Sequence, residues 1–243
     1  VRHPAFPGTC LLCLLLIFSC HLPSWSQKFS IPEGYPESLR QQRDDFTAAL
    51  IEDLKNPQLW KLLSHAYLNM ADDLFTDTSE KIEAYDKGLK AATQAMTLHP
   101  DDAETHFLYA ANLGSATQLR GITSGAVNLS DIIKHVDRAI ELDPHHAPSL
   151  QMKGGLLAEL PWYLGGNAKL AKDYLRRAIE ADGKFTNARI ILAKLFIKEG
   201  KLDGSRAQLL AVIQARNPHY PYAWERRFRP EAQRLLDELQ NRK

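Results

Sequence analysis

The feature that most constrains this chain is a phrase that returns along it. It reads "AMTLHP" at 95–100, "AIELDP" at 139–144, "AIEADG" at 178–183 and, more faintly, "VIQARNP" at 212–218. Each copy closes an apolar-periodic stretch with a breaker, which is how a helix ends. Pro100 to Pro144 is 44 residues, Pro144 to Gly183 is 39, and Gly183 to Asn217 is 34. A unit of this period is a helix pair that cannot bury its apolar face alone, so copies stack to share one core. The expected fold is all-α, a superhelical array of about four helix pairs with an N-terminal helix before it and a C-terminal capping helix after.

Apolar stripes at helical spacing agree with this reading. They comprise Leu39, Phe46, Leu50 and Leu54; Ile82, Tyr85, Leu89, Ala92 and Met96; Leu170, Tyr174, Leu175 and Ala178; and Ile191, Leu192, Leu195 and Phe196. Ser38-Leu39-Arg40-Gln41 has the form of a capping box and predicts the start of the leading helix. Gly88, Gly154 and Ala193 are small where neighbouring helices must approach closely. Pro230 opens the last helix, with Leu235, Leu236 and Leu239 packing back and charged residues facing out.

The stretch "WKLLSHAY" at 60–67 matches the pattern W-x-x-L-G-x-x-Y, with Ser64 in place of the glycine. With the returning endings, it makes residues 56–217 resemble the tetratricopeptide-repeat (TPR) superfamily. The first two spacings exceed the 34-residue period of that repeat by 10 and 5. The excess falls at the corners within helix pairs, "RGITSGAVN" at 120–128 and "LPWYLGGN" at 160–167, with another swelling at "DDLFTDTSE", 72–80. A longer surface loop costs only about 0.6 kcal/mol per doubling, so such corners are tolerated and free to carry function. In the second corner Pro161 ends a helix at Leu160, Gly165 and Gly166 permit a tight turn, and Asn167 caps the next helix.

The first 26 residues read differently. Arg2 precedes the apolar run "LLCLLLIFSC" at 11–20, and Ser24-Trp25-Ser26 follows. A basic start, a short apolar core and small residues describe a secretory signal peptide, cleaved after Ser26 to leave Gln27. The run is about half the length that spans a bilayer. The alternative is lipoprotein cleavage before Cys20, which would anchor the chain to a membrane, although Phe18 is bulky for that motif. The resulting division is 1–26 leader, 27–55 leading segment and helix, 56–217 repeats and 218–243 cap. The expected location is exported and periplasmic. Cys10, Cys13 and Cys20 all fall in the leader, so the remainder has no thiol chemistry.

Within the superfamily, the exported leader, the swollen corners and the stretches "HFLYAANLG" at 106–114 and "LPWYLGGNAKLAKDYLRRAIE" at 160–180 are similar to the periplasmic T-component of TRAP transporters. That resemblance implies a helical scaffold working with a solute-binding protein, often as an oligomer. The other readings are a generic envelope assembly factor or lipoprotein scaffold and, more distantly, a hydrolase.

Thirty basic residues against 29 acidic ones give a net charge of +1, with no basic stripe for nucleic acid. The polar stretch "HPDDAETH" holds His99, Asp101, Asp102, Glu104 and His106 but lacks two histidines one helical turn apart. No catalytic, metal or cofactor residues are assigned. Mapping the repeat onto the chain puts Lys61, His65, Phe107, Ala111, Gln151, Gly155, Ile190 and Lys194 in the concave groove. Its mixed, partly apolar character suits a protein partner or an apolar small ligand. Trp162, Tyr163 and Leu164 are expected to anchor their corner on the scaffold, the alternative being a contact surface. Trp224 and Phe228 are expected to seal the array while Arg226, Arg227 and Arg229 stay solvated, the alternative being a partner contact.

Overall fold

The computed structural model describes residues 31–241. Its helices are α1 (Ser38–Glu52), α2 (Pro57–Asn69), α3 (Thr78–Leu98), α4 (Ala103–Arg120), α5 (Ile122–Leu142), α6 (Ala147–Glu159), α7 (Ala168–Ala181), α8 (Thr186–Lys198), α9 (Leu202–Ile213), the single turn α10 (Pro221–Ala223) and α11 (Arg229–Gln240). Helix α2 packs on α3, α4 on α5, α6 on α7 and α8 on α9, with α1 against the first pair and α11 against the last. This is the all-helical array expected from the period. The leader, its alternative cleavage point and the three cysteines lie outside the described residues.

The core follows the stripes. Ala147, Leu150, Ala171, Leu175 and Phe185 are buried together at the third pair, while Leu209, Val212, Ala232 and Leu236 close the C-terminal end. The small residues stand at close approaches. A Cβ on Gly154 would lie 2.7 Å from Leu175 Cγ, so α6 and α7 meet there without room for a methyl group.

Helix starts are written in side chains. Asn56 accepts from the N–H groups of Gln58 and Leu59, Asp77 from Ser79 and Glu80, Asp102 from Thr105, and Asn167 from Lys169 and Leu170. These acceptors satisfy donors that no earlier turn can reach. Ser38 does not behave as a cap. Helix α1 follows Glu37 with no side-chain cap, and Ser38 N–H already donates to Gly34 O at 2.8 Å. The chain is turning before Ser38, so the capping-box expectation fails. Leu54 also leaves its stripe: it lies beyond the end of α1 and is 64% exposed. Leu170, in the first turn of α7, is exposed too.

The swollen corners take three forms. At 120–128 the extra residues become helix: α4 and α5 run to 18 and 21 residues and break only at Gly121, whose φ of +95° suits a residue without a Cβ. At 72–80 the end of α2 widens into a π turn (Met70–Leu74). At 160–167 a 3₁₀ turn (Trp162–Leu164) bridges α6 and α7.

Candidate functional site

The first helices of the pairs face a cavity of about 820 Å³. Its wall is mainly apolar, with Leu68, Phe107, Leu129, Ile132, Met152 and Leu156 among its side chains. The C-terminal segment covers one side through Tyr220, Ala223, Arg227 and Phe228.

Of the groove residues expected from sequence, His65, Phe107, Ala111, Gln151 and Gly155 line this cavity. The other three do not. Lys61 pairs with Asp102 at 2.7 Å. Lys194 pairs with Glu231 of α11 at 2.6 Å and borders a separate pocket of about 190 Å³. Ile190 is 1% exposed, buried with α9 and α11. Helix α8 lies between the preceding pair and the cap, so it is enclosed on several faces and Asn187 is its contribution to the cavity.

Asp72 and Asp73, which begin the swollen corner at 72–80, enter the wall from the π turn. The Tyr85 hydroxyl donates to Asp72 Oδ1 at 2.6 Å. Asp73 receives Arg227 Nη2 at 3.0 Å on Oδ1 and the Tyr35 hydroxyl at 2.5 Å on Oδ2. The Tyr35 ring meets Tyr222 edge-on at 5.1 Å. The two ends of the array are thereby clasped beside the cavity. Burial pushes the Asp72 pKa up, against the opposing pull of the Tyr85 hydrogen bond and Arg227. Burial beside these carboxylates also raises the Tyr35 and Tyr85 phenols, so both keep the protons they donate. Burial lowers the pKa of His65, which favours its neutral form.

Arg227 is exposed, as expected, but its guanidinium is not free: it pairs with Asp73 across the array. Its neighbours fit the sealing role better: Trp224 and Phe228 pack on the C-terminal core, and Trp224 Nε1–H donates to Val212 O at 2.7 Å. Arg226 lies over Tyr222 at 5.5 Å and Arg229 over Trp224 at 5.3 Å, both within cation–π range.

The Trp162 corner overturns the anchoring expectation. Pro161 O accepts from Leu164 N–H at 2.9 Å and Gly166 N–H at 3.0 Å, while Asn167 N–H reaches Leu157 O at 2.8 Å. A Cβ on Gly166 would lie 1.8 Å from Leu160 O. Backbone hydrogen bonds and glycine fix the turn without help from its large side chains. Trp162 is 85% and Tyr163 67% exposed, and Leu164 reaches the edge of the cavity.

The tempting polar stretch at 99–106 is divided among separate pairs. Asp102 holds Lys61, Asp101 holds Arg138, Glu104 meets His146 at 2.8 Å, and His106 Nδ1 lies 2.8 Å from His135 Nδ1. Among the described residues, no group of three or more His, Cys, Asp or Glu is placed to hold a metal ion. Among them, too, no helix is long and apolar enough to cross a membrane.

Stacked helix pairs curving around a cavity define a TPR-type fold. The crystal structure of a thermophilic TPR protein from Thermus thermophilus matches with a TM-score of 0.60, covering 84% of this chain and 92% of that one at 16% identity, a likeness of fold. A profile of the family described as "Regulator of microtubule dynamics protein 1-3" matches residues 37–164, and the chain belongs to that family. Regulator of microtubule dynamics protein 1 of Bos taurus is 28% identical over 156 residues, 58% of this chain and 49% of that protein. The Pongo abelii protein of the same name is 27% identical over 196 residues, 73% of this chain and 60% of its own. The chain thus spans about half to three-fifths of these curated relatives. None of these matches supports the narrower resemblance to the TRAP T-component.

Proposed function

We propose that this chain is a non-catalytic scaffold that binds a protein partner in its concave cavity, and that the partner belongs to the microtubule system. The observation that carries the first half is the cavity itself, mainly apolar and walled by the first helices of the pairs, by α5 and by the C-terminal segment. A large concave apolar surface with a few polar groups is a binding site by default. The second half rests on the family, whose members are named as regulators of microtubule dynamics. The test is the growth and shortening of tubulin filaments with purified full-length chain. Addition of the chain changes these rates, and Phe107→Asp at the cavity wall removes the effect. Unchanged rates at saturating chain would reject the assignment.

A second proposal, an alternative to a microtubule partner inside the cell, concerns location. The composition of residues 1–26 supports export, and the mass of the chain recovered from its native cells tests it, since cleavage after Ser26 leaves Gln27. Partnership with a solute-binding protein, as for a T-component, is supported only by the stretches at 106–114 and 160–180. The family assignment weighs against it.

A further inference from the structure

The cavity wall carries polar groups without partners, and their chemistry describes an occupant. Asn69, Gln118, Gln151 and Asn187 all line it. Among the described residues none of these carboxamides has a side-chain hydrogen-bond partner. Each offers a donor and an acceptor, the same pair presented by a peptide bond. A purely aliphatic occupant would cover these groups and leave them unmet, at about 1–3 kcal/mol for each one buried. An extended peptide meets them with its backbone.

Charge narrows the occupant further. The ionisable wall residues include Asp72, Asp73 and Glu159 on the acidic side and Arg227 on the basic side. Arg227 and the Tyr35 hydroxyl are both spent on Asp73. Asp72, half-buried, has Tyr85 on Oδ1, and no partner among the described residues meets Oδ2. Arg227 and Lys81 act on Asp72 only through their charge, so a direct cationic contact on Oδ2 is left open on the side where the two array ends meet.

We infer that the cavity receives an extended peptide segment with a basic side chain between apolar ones, its cation seated on Asp72 Oδ2 and its backbone held by Asn69, Gln118, Gln151 and Asn187. This rests on the scaffold reading above and adds what the partner must present. Apolar side chains of the segment lie on Phe107, Ile132 and Met152. An acidic residue at the central position would face Asp72 and is excluded by repulsion.

The test uses full-length chain and capped octapeptide pools read by fluorescence anisotropy. Each pool fixes one central residue as Lys, Arg, Met or Glu, with Leu, Phe, Ile and Ser mixed elsewhere. The Lys and Arg pools bind about tenfold or more tighter than the Glu pool, with Met between, as a charge-assisted hydrogen bond provides. Asp72→Asn keeps the shape and reduces that preference to about twofold or less. Backbone N-methylation of the Lys pool weakens it by about tenfold, because the carboxamides lose their partners. A Met or Glu pool that binds as tightly as Lys to the unaltered chain would overturn the inference without recourse to any variant. Lys preference without an effect on filaments would remove the microtubule assignment alone. Filament effects without Lys preference would remove this inference alone.

Discussion

Gly88 and Asn112 stand at the limit of approach between α3 and α4: a Cβ on Gly88 would lie 2.2 Å from Asn112 Oδ1. Asn112 is fully buried, and its Nδ2 donates to Leu108 O at 2.8 Å and to Ser64 Oγ at 3.2 Å. Ser64 holds the position where the repeat pattern has glycine, so three helices share one polar contact. Gly88→Ala should destabilise the chain by about 1–3 kcal/mol through overpacking. That loss opposes the gain of about 1 kcal/mol that alanine brings to an exposed helix. Urea denaturation decides between them, and a more stable variant would refute the contact.

Trp162→Ala tests the corner between α6 and α7. A buried tryptophan costs about 3–5 kcal/mol to remove, but this one is 85% exposed. Its loss should change stability by no more than about 0.5 kcal/mol, as at other exposed sites. Thermal melts read this directly, and a drop in the buried range would show that the side chain is packed.

The clasp between Asp73 and Arg227 predicts a change of shape. Arg227→Ala should widen the array, seen as a larger radius of gyration in solution scattering. In a double-mutant cycle with Asp73→Asn, the coupling should be about 0.5–1 kcal/mol, the range for a partly exposed ion pair. Additive effects would mean that the two side chains do not meet.

His65 and His135 give stability a dependence on acid. Burial lowers both pKa values from 6.5, against opposing pulls from Glu104 on His65 and Asp131 on His135. The unfolded chain then binds protons that the fold refuses. Their contribution is complete above pH 6.5 and is lost as pH falls from there towards the folded values. Asp72, with its pKa raised, acts in the opposite sense. The melting temperature should therefore fall between pH 7 and pH 5, and His135→Gln, which cannot protonate, should flatten part of that slope. An unchanged slope would remove His135 as a cause.

Helix pairing was legible because the repeat endings are local: a breaker after an apolar stripe ends a helix wherever it falls. His65, Phe107 and Gln151 were legible as cavity residues for the same reason, since they lie on the first helices of pairs. Ile190 was not, because the burial of α8 depends on α11, which follows far along the chain. Asp72 and Asp73 looked like ordinary loop acids. Their position needs a π turn and the arrival of Arg227 from 154 residues away, neither of which leaves a local pattern. Trp162 was misjudged by composition: large side chains suggested an anchor, while Pro161 O and Gly166 had already fixed the turn.

The clasp changes how such a chain comes apart. In an open stack each unit touches only its neighbours, so the ends fray independently and the middle survives. Joining residue 73 to residue 227 hooks the spring to itself, and damage at the last helix is felt at the first pair. Long-range closure repays its entropy only after the intervening turns are ordered. The hook is therefore expected to close late in folding, once the pairs between have assembled.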